Sequence, residues 1–98
     1  MQSMFPGKWL NKYEFKDGTK GDEILEIKNG NEYHALGQHL FNIDQFSIDK
    51  VNKILTFRKK GVGLDIRQAV NVLSIVNEKY YEGTETNGTR ISYTRIDE

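Results

Sequence analysis

Cysteine is absent from this 98-residue chain, which excludes a disulfide framework and a cysteine-ligated zinc site. The chain has two histidines, His34 and His39, and neither has a dense cluster of carboxylates near it in the sequence. Because structural zinc needs a full tetrahedral set of ligands, surface histidines explain these residues better than a metal site does. We therefore expect no metal site and no cofactor.

Net charge is also absent, because 14 basic residues balance 14 acidic residues. The two signs are interspersed along the chain, whereas proteins that bind nucleic acids cluster Lys and Arg on one surface. Arg58, Lys59 and Lys60 form the nearest approach to a basic cluster, and a turn after a strand explains it equally well. The sequence predicts no nucleic-acid partner.

Long apolar runs are missing, since no run of apolar residues exceeds two. This limit excludes a transmembrane helix and the apolar segment of a signal peptide. We expect either a cytoplasmic protein or a mature domain whose export signal has been removed. The content of hydrophobic residues, 37%, and of aromatic residues, 11%, is sufficient for a folded core. We interpret residues 1–98 as a single domain.

Catalytic motifs are lacking as well. No serine lies in a nucleophile elbow, and no spacing of Asp and Glu residues singles out a catalytic pair. The segment Gly61-Val62-Gly63 lacks the strand-to-helix setting of a phosphate-binding loop, so we interpret it as a turn. We expect a protein that is not an enzyme, with no catalytic residues.

Short alternating segments are what the sequence does contain. Trp9, Asn11, Tyr13 and Phe15 alternate with residues that are charged except for Leu10, which is the period of a strand with one buried face. The other predicted strands are 23–28, 32–36, 41–48, 54–58, 64–66, 72–76, 79–85 and 89–96. Their connections are too short for parallel crossovers. The prediction is an all-β, antiparallel up-and-down meander of eight to nine strands, closed into a barrel because closure removes exposed edges.

The pair Asn29-Gly30 predicts a hairpin, and two registers are open to it. A two-residue loop places Ile27 opposite Glu32. A three-residue loop with a bulge instead places Leu25 and Ile27 on the same face as Tyr33 and Ala35. We favour the three-residue loop, because the buried face determines strand register.

Further irregularities are expected in three places. The apolar phase slips between Ile43 and Phe46, which indicates a bulge. Gly83 lies inside a predicted strand and indicates a bulge or close packing. The segment 67–71 fits a bend, a continued strand or a short helical turn.

Gly7-x-Trp9 before the first strand and Tyr93-x-Arg95 on the last one resemble motifs of the calycin group. This group contains lipocalins, fatty-acid-binding proteins and small bacterial lipocalin-like domains. The resemblance implies that Gly7, Trp9 and Arg95 close one end of the barrel, with Arg95 stacked on the Trp9 ring. Fatty-acid-binding proteins hold a carboxylate with an Arg-x-Tyr pair, and the order is reversed here. That carboxylate-binding role is therefore not carried over.

The resemblance implies a lipocalin-like binding domain with a small hydrophobic ligand. Its candidate ligand-binding residues are Tyr13, Tyr33, Phe57 and Tyr93. The alternative for the interior is a solid core, which the short chain favours. The alternative for the function is a barrel with a protein partner, such as a cytoplasmic protease inhibitor or an immunity-type protein. Gly88-Thr89-Arg90 is similar to a stretch before the last strand of such inhibitors.

Overall fold

The computed structural model describes residues 5–63 and 67–96, and these residues form eight strands. The strands are β1 (Gly7–Glu14), β2 (Lys20–Lys28), β3 (Asn31–His34), β4 (His39–Asp49), β5 (Ile54–Gly61), β6 (Gln68–Asn77), β7 (Tyr80–Glu85) and β8 (Arg90–Arg95). Each strand pairs antiparallel with the next, and β1 pairs with β8, so the sheet closes into a barrel. The predicted all-β, up-and-down barrel is confirmed. The predicted strand 64–66 lies outside the described residues.

Strand β5 is longer than the sequence predicts. The predicted strand 54–58 already contains Arg58, but Lys59 and Lys60 also belong to β5, so their interpretation as a turn is wrong. Alternation along the strand buries Lys59 and places Arg58 and Lys60 on the outer face, where Arg58 pairs with Asp44 and Lys60 is exposed. On the next strand, most of the segment 67–71 continues as β6.

Within the described ranges, no helix has the length and apolarity needed to cross a membrane.

The hairpin at Asn29-Gly30 has the two-residue loop, so the three-residue loop predicted for it is wrong. Lys28 pairs with Asn31, and Ile27 lies opposite Glu32. Asn29 and Gly30 both have positive φ, 52° and 75°, as a type I′ turn requires. This register points Glu32 into the barrel, where it is 1% exposed. A buried carboxylate is tolerated here because a partner lies within reach, as described below.

Two predicted irregularities are present. The pairing of β4 with β5 shifts between Asp44 and Ser47, and Gln45 within this bulge has a φ of 54°. Gly83 pairs with Leu73, and a Cβ atom at this position would collide with the Val72 carbonyl oxygen. Gly83 therefore reflects close packing of β7 on β6.

The apolar core fills one end of the barrel. Its buried members are Phe5, Trp9, Leu25, Ile27, Leu55, Phe57, Leu73, Tyr81, Ile91 and Tyr93. Phe5 precedes β1 and enters the barrel, where its ring lies within 6 Å of five other aromatic rings. Buried aromatic pairs of this kind stabilise beyond their area burial. The core is thus solid at the end where β1 begins.

Candidate functional site

The seam between β1 and β8 carries the motif residues of the sequence. Trp9 is fully buried opposite Arg95, and the guanidinium carbon of Arg95 lies 4.4 Å from the centroid of the Trp9 ring. The Trp9 indole Nε1 donates a hydrogen bond to the Phe5 carbonyl oxygen at 2.7 Å, and Arg95 Nη1 donates to the Pro6 carbonyl oxygen at 3.0 Å. These bonds hold the segment before β1 across the barrel end. Gly7 has a φ of 142° where this segment enters the strand.

A cavity of about 430 Å³ occupies the other end of the barrel. Its walls come from alternate residues of the strands and from the connections between them. The lining residues are Asn11, Tyr13, Phe15, Glu23, Glu32, Leu40, Phe41, Lys59, Arg67, Gln68, Ala69, Glu85, Asn87, Thr89 and Ile91. The interior therefore combines the two alternatives predicted for it, because a solid core and a cavity occupy opposite ends.

Similar turns connect the strands around the cavity. In the β1–β2 connection, the Thr19 amide donates to the Asp17 carboxylate at 2.8 Å, and the Phe15 amide donates to the Thr19 carbonyl oxygen at 2.8 Å. In the β7–β8 connection, the Thr89 amide donates to the Asn87 side chain at 2.9 Å, and the Glu85 amide donates to the Thr89 carbonyl oxygen at 2.8 Å. Asx turns of this type fix the backbone locally. They hold the rim of the cavity in one conformation.

A buried polar cluster forms the floor of the cavity. The ammonium nitrogen of Lys59 lies 3.2 Å from Glu32 Oε1, 3.2 Å from the Tyr93 hydroxyl oxygen and 4.0 Å from Glu85 Oε2. The side chains of Lys59 and Glu32 are 7% and 1% exposed. The Lys59 nitrogen also lies 4.9 Å from the centroid of the Phe41 ring. The cluster is thus an ammonium ion enclosed by carboxylates, a hydroxyl group and an aromatic face.

Burial and charge shift the pKa values of this cluster. Burial raises the pKa of Glu32 despite the opposing charge of Lys59, and the carboxylates of Glu23 and Glu85 raise it further. Burial by itself lowers the pKa of Lys59, but the surrounding Tyr93 oxygen and carboxylates outweigh burial and raise it. Burial also raises the pKa of the Tyr93 hydroxyl. Lys59 therefore stays charged at neutral pH.

The local sequence explains how these side chains come together. Leu55, Phe57 and Lys59 are every second residue of β5 and all point to its inner face. The two-residue turn at Asn29-Gly30 gives β3 the register in which Glu32 points inward. Tyr93 faces inward on β8. The sequence analysis missed Lys59 and Glu32 as interior residues. The Leu-x-Phe-x-Lys alternation and the register of an Asn-Gly turn are the patterns that identify them.

The four predicted ligand-binding residues lie in different environments. Tyr13 lines the cavity, and the hydroxyl of Tyr93 lies beneath it, bonded to Lys59. Phe57 belongs to the solid core, with its ring 4.9 Å from that of Phe5. Tyr33 does not line the cavity; its ring stacks on His39 at 4.9 Å, with Lys28 Nζ 5.0 Å from it. The structure therefore brings Tyr13 and Tyr93 to the cavity and places Phe57 and Tyr33 elsewhere.

The histidines do not meet at a site. His39 begins β4 and stacks on Tyr33, while the Nδ1 atom of His34 accepts a hydrogen bond from the Leu36 amide at 3.1 Å. In the described part of the chain, no group of three or more His, Cys, Asp or Glu side chains could hold a metal ion.

A second, wider concavity of about 760 Å³ lies across the outer surface of the sheet near β1, β2, β7 and β8. Charged residues of both signs border it, among them Lys12, Glu14, Lys20, Asp22 and Arg90. Because oppositely charged solvated side chains alternate on this surface, it lacks the convergent polar groups of a binding site. The interior cavity is the better candidate.

Comparison with known proteins gives no relative. No family model, no curated protein and no solved structure matches this chain. The closed barrel of eight antiparallel strands is consistent with the calycin-like architecture that the end motifs imply. The functional argument therefore depends on the geometry of the cavity.

Proposed function

We propose that this chain is a non-enzymatic, lipocalin-like binding domain that holds a small amphipathic molecule in the cavity opposite Trp9. The observation that carries this proposal is the division of the barrel interior into a solid aromatic core and a cavity with a polar floor. Its volume of about 430 Å³ falls within the range of small-molecule sites, roughly 300–1,000 Å³. Apolar side chains such as Phe15 and Ile91 border it together with charged ones.

The polar floor changes the ligand expected from the sequence. A purely hydrophobic ligand would bury the Lys59 cluster without giving it hydrogen bonds, and desolvation of polar groups opposes binding. An amphipathic ligand places an apolar body against the aromatic walls and a polar group near the floor. Preformed sites commonly combine apolar walls with a few convergent polar groups.

A barrel that binds a protein partner is the alternative. Among the described residues, Leu36 and Val51 are the most exposed large apolar side chains, at 91% and 90%. They lie in the β3–β4 and β4–β5 connections, at opposite ends of β4. Exposed apolar residues indicate an interface when they form a contiguous patch, and these two are separated by the length of a strand.

A cavity-filling variant tests the proposal. Ala69 lines the cavity, and Val72 lies on the outer face of the same strand, 44% exposed. We expect the fluorescent probe N-phenylnaphthylamine, a neutral molecule whose apolar rings carry one polar N–H group, to bind the native protein. Ala69→Phe should abolish the increase in its fluorescence. The matched control, Val72→Phe, should retain it. No binding to the native protein, or equal binding by both variants, would refute the cavity as the binding site.

A further inference from the structure

Acceptor groups of the protein itself surround the ammonium group of Lys59. An ammonium group has three protons to donate. Glu32 and Tyr93 accept at 3.2 Å, and Glu85 lies at the 4.0 Å limit of an ion pair. A carboxylate ligand that approached Lys59 would have to share this ammonium group with Glu32 and Glu85. It would also meet the negative charge of the cluster at close range, where repulsion is strong in a low-dielectric interior.

Carboxylates outnumber cationic groups among the described residues that line the cavity. The carboxylates are Glu23, Glu32 and Glu85, and the cationic side chains are Lys59 and Arg67. Lys59 lies closest to Glu32, and the Arg67 guanidinium carbon lies 5.4 Å from the centroid of the Phe41 ring. Burial is the main cause of the raised pKa of Glu32, and the charges of Glu23 and Glu85 add to it. The carboxylates of Glu23 and Glu85 line the cavity without a hydrogen bond to Lys59 and are available to attract a cation.

Asn71 supplies an independent observation. It is fully buried, and neither its amide nitrogen nor its amide oxygen has a hydrogen-bond partner among the described residues. Buried amide groups are rarely left without partners. Asn71 pairs with Glu85 across the sheet and lies on the same face of β6 as Ala69, which lines the cavity. Asn71 thus places an unpartnered amide group next to Glu85, behind the residues that line the cavity.

Aromatic side chains at the cavity add a second attraction for a cation, beside that of the carboxylates. The rings of Tyr13 and Phe15 lie 5.3 Å apart, and Phe15 remains 44% exposed. Aromatic faces attract ammonium groups through the ring quadrupole. The Lys59 cluster shows the same arrangement within the protein, because its ammonium group lies against Phe41 between carboxylates.

We propose that the ligand of this cavity is a small organic cation, an ammonium group on an apolar body, held by the carboxylates of Glu85 and Glu23 and by the aromatic wall at Phe15. This inference rests on the proposed function and specifies its ligand class. Neutral analogues bind more weakly than the amine, and fatty acids and other carboxylates bind more weakly still.

Three probes with a shared phenyl body and different head groups test the charge preference: phenethylamine, phenethyl alcohol and phenylacetate. Each is titrated into the ¹⁵N-labelled protein and followed by amide chemical-shift changes. We expect the amine to bind at least about fivefold more tightly than the alcohol, equivalent to about 1 kcal/mol of cation–π and ionic attraction. Phenylacetate should bind more weakly than the alcohol. The largest shifts should occur at the residues that line the cavity.

Matched variants locate the carboxylates. Glu85→Gln and, separately, Glu23→Gln should reduce the preference for the amine over the alcohol, while binding of the alcohol is retained. The control Glu82→Gln removes a carboxylate from the outer face of the same strand as Glu85 and should leave the preference unchanged. Glu23 is half-buried and outside the Lys59 ion pairs, so its variant remains informative if Glu85→Gln is unstable.

The outcomes separate this inference from the proposed function. Equal affinity for amine and alcohol at the cavity, or tighter binding of phenylacetate, would overturn the cation preference and leave the binding cavity standing. An amine preference that survives both Gln variants would overturn the assignment of the carboxylates. Absence of shifts with all three probes would overturn the binding function itself.

Discussion

Replacement of Lys59 by Met should produce a large and pH-dependent loss of stability. The substitution preserves most of the apolar stem and removes the ammonium group, so Glu32 loses its closest charge partner, 3.2 Å away. Glu32 is 1% exposed and cannot turn to solvent without opening the barrel. Breaking a buried ion pair on one side typically costs about 3–5 kcal/mol, and we expect a loss in this range at neutral pH.

The sign of the pH dependence follows from Glu32. Its pKa in the folded state is raised above the ordinary value of 4.5, and removal of Lys59 raises it further. A group with a raised folded-state pKa stabilises the protein below its unfolded-state pKa, and that stabilisation is lost as pH increases. The variant should therefore lose up to about 1.4 kcal/mol per pH unit as pH rises above the ordinary pKa of Glu32, until its folded-state pKa is passed.

Urea unfolding followed by circular dichroism, at several pH values between about 5 and 8, measures both quantities. The adjacent and exposed Lys60 provides the control, since Lys60→Met should stay within about 0.5 kcal/mol of the native protein. The double variant Lys59→Met/Glu32→Leu should recover most of the loss, because apolar replacement of both partners removes the uncompensated charge. A loss below about 1 kcal/mol for Lys59→Met, with no pH dependence, would refute the buried ion pair.

Three further substitutions test the packing. Trp9→Ala should lower the free energy of unfolding by about 3–5 kcal/mol, because it removes a fully buried indole; a loss below about 1 kcal/mol in urea unfolding would contradict the burial. Arg95→Met should lower the free energy of unfolding by about 0.5–2 kcal/mol, because the contact with the Trp9 ring is lost. Probe binding in the cavity should not change, and altered binding would show that the two ends of the barrel are not independent. Gly83→Ala should cost about 1–3 kcal/mol by thermal or urea unfolding, because the new Cβ meets the Val72 carbonyl oxygen; unchanged stability would show that β7 shifts freely.

The barrel could be predicted because its determinants are local. Alternation over a few residues defines each strand, and short connections allow antiparallel neighbours without any knowledge of distant contacts. The bulge after Ile43 was visible as a slip in the same alternation. The extension of β5 through Lys59 was missed because a run of three basic residues, considered alone, is typical of a solvated turn.

The cavity floor could not be predicted one segment at a time. Glu32 and Lys59 are 27 residues apart, and burial of either charge is unfavourable until the other is placed beside it. The expectation that charged residues face solvent therefore favours the three-residue loop, which keeps Glu32 outside the barrel. The Asn-Gly pair by itself favours the two-residue loop. Phe5 escaped notice for a related reason, because it precedes the first strand and belongs to no alternating segment.

The seam between β1 and β8 bears on the order of events during folding. Every other strand pairing joins neighbours in the chain, whereas the seam brings Trp9 opposite Arg95, across almost the whole sequence. Hairpins with short loops close rapidly, while pairing of distant segments carries a larger entropic cost and slows folding. During synthesis, β8 must therefore leave the ribosome before it can pair with β1 and complete the burial of Trp9. Until then β1 has an unpaired edge that other chains can pair with.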